Sequence, residues 1–314
     1  MKRQQTHLAK TRHSVQTTKM TNQVLCIGSV LWDVIGRSGA VMRVGSDVPG
    51  RITRIPGGVA LNIAMTLRRF GVQPVLLTSI GRDEEGDELV NAVERLGIDA
   101  TQVYRSADLP TDIYMAVEGA NGLIAAIADA HSLEAAGEKI LTPMIEGQLG
   151  RSEKPYSGVV ALDGNLTEAL LAEIAESPFF AHSDLRVAPA SPGKAERLLP
   201  LMACPHATLY VNLEEAGLLC HQPFESAPQA ASAMMERGAA QVLVTDGGKT
   251  AAHATKNDVL TAEPPQVLVT RVTGAGDTFM AAHIAASLQG QSAEVALNSA
   301  LRAAAAYVSG DVPS

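Results

Sequence analysis

The apolar positions of the chain fall into two recurring patterns. Short continuous runs rich in Val, Ile and Leu have the length of buried strands, and longer stretches repeat their apolar residues at helical spacing. Val24-Leu25-Cys26-Ile27, closed by Gly28, is the first run. A helical stretch runs from Gly57-Gly58 to about Phe70, with Ile63, Leu67 and Phe70 on one face and Gly71 at its end. Val75–Ile80 predicts a second strand and Glu84–Leu96 a second helix, stopped by Gly97. The alternation resumes with strands predicted at 158–163, 185–188, 208–211 and 241–245, and helices at about 167–176, 193–202 and 226–237. Val267-Leu268-Val269-Thr270 predicts a last strand, feeding a glycine turn and an alanine-rich helix from Asp277 to about Leu288; a final helix covers 293–309. Strands alternating with helices in this way specify an α/β fold around a mostly parallel sheet.

Two segments depart from that rhythm. Residues 37–56 are rich in Gly, Val and Arg in short alternating pieces and predict a small β excursion. Within 111–130, Ile113–Val117 and Leu123–Ile127 flank Asn121-Gly122, a hairpin signal.

Composition narrows the function classes. A chain of 314 residues holds one α/β domain with an insertion, or two domains. A net charge of −8 argues against a nucleic-acid-binding surface, and no apolar run reaches membrane-spanning length. Cys26, Cys204 and Cys220 are scattered, odd in number and without metal-ligand spacing, which fits a reducing cytoplasm. Residues 1–21 carry Lys2, Arg3, Lys10, Arg12 and Lys19, no acid and no apolar signal region. They predict a mobile basic tail, with a transit-type segment as the alternative.

The chemistry concentrates in Arg271-Val272-Thr273-Gly274-Ala275-Gly276-Asp277-Thr278-Phe279. A glycine turn entering a helix leaves backbone N–H groups open, and the helix dipole favours an anion there. An acid at Asp277 repels a resting phosphate. It makes sense if the carboxylate takes a proton from a hydroxyl while the amides of Gly274, Ala275 and Gly276 hold the phosphoryl group in transfer. The alternative is a helix-capping Asp. This stretch has a partner in Pro56-Gly57-Gly58-Val59-Ala60-Leu61-Asn62. Together, Gly57-Gly58 with Asn62 and Thr273-Gly274-Ala275-Gly276-Asp277 resemble the two signature regions of the PfkB (ribokinase-like) carbohydrate and nucleoside kinases. The resemblance covers about residues 23–310.

That resemblance implies a three-layer α/β/α fold with a small β lid made of about 37–56 and 111–130, a domain spanning 22–314, and often a homodimer formed through the lid. It implies a small-molecule substrate bound by Asp33, Gly57, Gly58 and Asn62. ATP lies against Asn212, Thr245, Gly247, Gly248, Gly274 and Gly276, and Mg²⁺ sits near Glu215 of the Asn212-Leu213-Glu214-Glu215 motif. Each residue also has a plainer reading: a loop acid for Asp33, a helix-start cap for Asn62, helix-start acids for Glu214-Glu215. Asp129 ends the hairpin and is expected near the cleft, or as a loop cap. Asp163 and Asn165 follow a strand and are expected to line the cleft at the carboxyl end of the sheet.

Two features limit what carries over. Gly248-Lys249-Thr250 looks like a P-loop end, but that motif needs a glycine where Leu243 stands. Arg271 stands where many members carry an Asp that helps bind a monovalent cation, which puts that site in question. Arg271 is expected either to turn its charge toward the phosphates or to point to solvent. Within the family the closest resemblance is to the pseudouridine kinases, through Pro49-Gly50-Arg51-Ile52, Asn62-Ile63-Ala64, Ala126-Ile127-Ala128-Asp129, Leu162-Asp163-Gly164-Asn165-Leu166 and Ser191-Pro192-Gly193-Lys194. It implies a nucleoside as substrate, with a free sugar such as ribose or a ketohexose as the alternative.

Overall fold

The computed structural model describes residues 22–43 and 45–310; the basic segment at 1–21 lies outside them. The first strand, β1 (Gln23–Ile27), is buried along nearly its whole length and lies inside an eight-stranded sheet. Its neighbours are β4 (Gln73–Leu77) on one side and β9 (Val159–Asp163) on the other, both parallel to it. The sheet continues through β10 (Asp184–Ala188), β11 (Ala207–Asn212) and β12 (Gln241–Thr245), all parallel. It ends in two antiparallel strands, β13 (Ala251–Thr255) and β14 (Val259–Ala262).

Strand periodicity of two sends alternate side chains to opposite faces. Leu25, Ile27, Val160 and Leu162 enter one core, which packs under α5 (Glu168–Glu176), α7 (Leu213–Cys220) and α8 (Ala227–Glu236). Val24, Cys26, Val159 and Ala161 enter the other, with α1 (Val59–Arg69), α2 (Glu84–Arg95), α9 (Ala275–Leu288) and α10 (Ala293–Ser309). The architecture is α/β/α in three layers.

A separate four-stranded sheet, ordered β3-β2-β7-β8, is built from β2 (Leu31–Arg37), β3 (Arg51–Gly57), β7 (Ile113–Gly119) and β8 (Gly122–Asp129). It begins earlier than the predicted excursion, at Leu31, and the described residues of 38–50 supply no strand. The Trp32 indole anchors its base, donating to the Glu85 carbonyl at 2.9 Å under the Arg54 guanidinium. Beyond that anchor both edge strands are largely exposed.

One predicted strand is absent. Val267–Thr270 forms no ladder, and Leu268 and Val272 are 82% and 70% exposed. The chain instead pairs one step earlier, as β14, and then reaches the glycine turn without joining a sheet. The stretch predicted as a helix at 193–202 is a 3₁₀ turn at Pro192–Leu198 followed by the single turn Leu199–Met202.

Candidate active site

The turn before α9 is set by Gly274, whose φ of 89° lies in the left-handed region that favours glycine. A Cβ there would come within 2.6 Å of the Tyr307 hydroxyl. Gly274 is the helix cap, so Asp277 is not; its Oδ2 accepts instead from Asn62 Nδ2 at 2.9 Å. Asn62 is not a cap either. The cap of α1 is Gly58, at φ 100°, where any Cβ would overlap the Ser29 carbonyl. The two glycine turns thus free an amide and a carboxylate from local duty and bring them together from positions far apart in the chain. Burial pushes the Asp277 carboxyl up to about 7; the Asn62 bond pulls it down, and the charges of Asp163, Asp33 and Glu215 push it further up.

Asp33 lies on β2 and pairs in register with Ile55 and Tyr114, so these three share a face of the small sheet. Gly57 packs directly against its carboxylate. Burial pushes Asp33 up to about 6. Asp129 pairs with Ile113, which pairs with Trp32, so it lies on the face opposite Asp33. Its exposed carboxylate bonds His131 Nδ1 at 2.8 Å. The expectation that Asp129 reaches the cleft does not hold, because one residue of strand register reverses the face.

Asp163 also departs from expectation. Its side chain is fully buried and accepts from Ser29 N–H at 2.7 Å, Ser29 Oγ at 2.5 Å and Asn165 N–H at 2.7 Å. Ser29 Oγ accepts in turn from Val59 N–H at 3.0 Å. Asp163 therefore ties the ends of β9 and β1 to the start of α1, rather than lining the cleft. Asn165 is partly exposed beside it, and its Oδ1 accepts from Lys194 Nζ at 2.6 Å. Burial lowers the Lys194 ammonium from its ordinary range. Ser29 is a residue that sequence reasoning missed, and Lys194, noted only within Ser191-Pro192-Gly193-Lys194, was given no role. The signal for Ser29 was its place directly after the first strand's glycine.

On the other flank, Asn212 and Thr245 end neighbouring strands in register. The Asn212 side chain accepts from Glu215 N–H at 2.9 Å, and Glu215 Oε2 accepts from Asn212 N–H at 2.8 Å. This capping box realises the helix-start reading of Glu215 and leaves its second oxygen available. Burial raises the Glu215 carboxyl above its ordinary value. Gly247, at φ 55°, and Gly248 form the turn after β12 at the same edge of the sheet. Among the described residues no group of three or more His, Cys, Asp or Glu is gathered to hold a metal ion. A Mg²⁺ that keeps its waters needs only one or two carboxylates, which Glu215 fits.

The amides of the glycine turn are only partly as expected. Ala275 N–H donates to the Val272 carbonyl at 3.0 Å, so it is not an open donor. Those of Gly274, Gly276 and Asp277 have no partner among the described residues, as befits a first helical turn. Arg271 is exposed, and its side chain turns toward the last turn of α10. Its guanidinium lies over the Tyr307 ring at 3.8 Å, with Nε donating to the Tyr307 carbonyl at 2.8 Å. A cavity of about 50 Å³ beside the turn is lined by Asn62, Thr66, Arg69, Gly274, Thr278 and Tyr307.

Residues 21–311 match the family described as pfkB family carbohydrate kinase. An uncharacterized sugar kinase, YeiI, of Escherichia coli is 30% identical over 87% of this chain and 75% of its own length. The pseudouridine kinase of the same organism is 27% identical over 82% of this chain and 81% of its own. Among solved structures, Arabidopsis thaliana ribokinase complexed with ribose and ATP superposes with a TM-score of 0.72 at 21% identity, covering 91% of this chain and 92% of that one.

Proposed function

From the premise that this chain belongs to the pfkB family of carbohydrate kinases, we propose that it transfers the γ-phosphoryl group of ATP to the ribose 5′-hydroxyl of pseudouridine. The observation that carries the reading is the Asn62–Asp277 pair: a buried carboxylate near neutral pKa beside the open amides of Gly274 and Gly276. Asp33 and Asn62 hold the ribose hydroxyls. Asp277 accepts the 5′-hydroxyl proton as the oxygen attacks phosphorus, and the open amides hold the equatorial oxygens of the group in flight. Asn212, Thr245, Gly247 and Gly248 line the nucleotide side. Mg²⁺ on the phosphates, bound through water near Glu215, supplies charge neutralisation.

Support for a nucleoside comes from the pseudouridine kinase relative and from Lys194, whose ammonium is held by Asn165 near Ser29 and the start of α1 and suits the polar edge of a base. The four-stranded sheet acts as the lid, and its exposed face pairs two copies into a homodimer. The free, buried thiols of Cys26, Cys204 and Cys220 suit a cytoplasmic setting. No helix among the described residues is long and apolar enough to cross a membrane.

Pseudouridine carries a free N1–H that uridine lacks, and sites built to bond such a group reject its absence by on the order of ten-thousandfold. The test is kcat/KM for pseudouridine, uridine, ribose and fructose with Mg-ATP in one ADP-release assay. Pseudouridine should lead by orders of magnitude. A lead for ribose or fructose favours the second reading, a free-sugar kinase, which the higher identity to the sugar kinase relative supports.

A further inference from the structure

The segment that delivers the open amides is not held by the sheet. After β14 the chain forms no ladder, and Val267, Leu268, Val269 and Val272 are 39%, 82%, 56% and 70% exposed. Yet amides that stabilise a group in transfer must be fixed, because a misplacement of about 1 Å costs on the order of a hundredfold in rate. Something other than strand pairing holds Gly274 and Gly276.

The C-terminal end of α10 supplies it. Val308 O accepts from Thr270 N–H at 2.8 Å, from Thr270 Oγ1 at 3.0 Å and from Arg271 N–H at 3.3 Å. Tyr307 O accepts from Arg271 Nε at 2.8 Å. The guanidinium carbon lies over the Tyr307 ring, 3.8 Å from its centroid, and the Tyr307 hydroxyl donates to Thr273 O at 2.9 Å, one residue before Gly274. That hydroxyl also sits where a Gly274 side chain would be. A cation is favoured at this end of the helix, where unpaired carbonyls give it negative character. The charge and the stacked ring therefore reinforce the bonds.

We infer that Arg271 and Tyr307 are positioning residues, a brace that ties the phosphoryl-holding turn to the last turn of α10. Arg271 makes its contacts with Tyr307 and Val308 at the end of α10. It fixes Tyr307, Tyr307 fixes Thr273, and Thr273 leads the amides of Gly274 and Gly276 into place. The inference rests on the kinase reading for its effect on rate, but the brace itself is a property of the apo chain.

The experiment has two readouts on the purified full chain. The first is steady-state turnover with Mg-ATP and whichever acceptor the wild-type chain uses best. Arg271→Ala should lower kcat by roughly ten- to a hundredfold with KM for acceptor little changed. Millimolar guanidinium chloride should restore part of that loss in Arg271→Ala and none in wild type. Tyr307→Phe keeps the stacked ring and loses only the bond to Thr273 O; it should lower kcat several-fold and serves as the gentler variant if Arg271→Ala folds poorly. The second readout is amide hydrogen exchange without ligand. Both variants should exchange faster across 270–277, with the central sheet unchanged. The brace is refuted if Arg271→Ala keeps kcat within twofold of wild type, or if exchange across 270–277 matches wild type. A wild-type chain inactive on every acceptor would sink the kinase reading, and exchange would still decide the brace.

Discussion

At the scale of the residue, Asp277 carries a cost for its proposed role. Its ionised form is favoured by a single bond, from Asn62, against burial and three neighbouring acids. As a base it must be deprotonated, so kcat/KM should rise as pH rises through about 7 and level off above it. A profile flat from pH 5 to pH 8 would remove Asp277 from that role. The same residue makes a prediction about stability. Its folded carboxyl lies above the ordinary 3.8, so the folded chain holds the proton more tightly. The stability this lends is full below the ordinary value and is lost as pH rises through about 7. Asp277→Asn should therefore lose about a hundredfold to ten-thousandfold in kcat while still binding nucleoside. Its Tm relative to wild type should climb between pH 5 and pH 8. Calorimetry at the two pH values checks the sign.

At the scale of elements, what was legible depended on whether a signal was local. Gly58 and Gly274 were readable because a glycine where strand meets helix is a backbone requirement written in one position. The parallel strands were readable from their apolar runs. Val267–Thr270 misled, because an apolar run becomes a buried strand only if a neighbouring strand pairs with it, and none of the described strands does. Conversely β13, Ala251-Ala252-His253-Ala254-Thr255, has little β propensity and is a strand because β12 and β14 pair with it on both sides. Asp163 and Asp129 each sat at a strand end, as expected; which way each pointed was decided by the Ser29 contact in one case and by sheet register in the other. The small sheet was readable from Asn121-Gly122, and its dynamics follow from its packing. It is anchored at Trp32 and open beyond, the packing that the proposed lid role requires. Exchange at 31–37, 51–57 and 113–129 should slow on adding nucleoside, as closure excludes water. Protection confined to the central sheet would show that these strands do not close.

At the scale of the molecule, the small sheet leaves an apolar surface that the described residues do not cover. Ile52, Met115 and Ile127 are 79%, 48% and 67% exposed. Register puts them on one face: Ile52 pairs with Gly36, Gly36 with Val117, Val34 with Met115, and Met115 with Ile127. That is the face opposite Asp33, so covering it leaves the substrate face free. Large apolar side chains clustered in this way on an open sheet mark a contact surface, and the free edge of β8 is a second liability that a partner would remove. A second copy of the chain satisfies both at once and would stiffen the sheet from behind. The chain should therefore run as a dimer at micromolar concentration in light scattering coupled to gel filtration. Ile127→Glu should convert it to monomer without unfolding the central sheet, and should raise KM for the acceptor more than it lowers kcat, because the lid loses its backing and not its catalytic groups. A wild-type chain that stays monomeric under those conditions would show that this face serves something other than self-association.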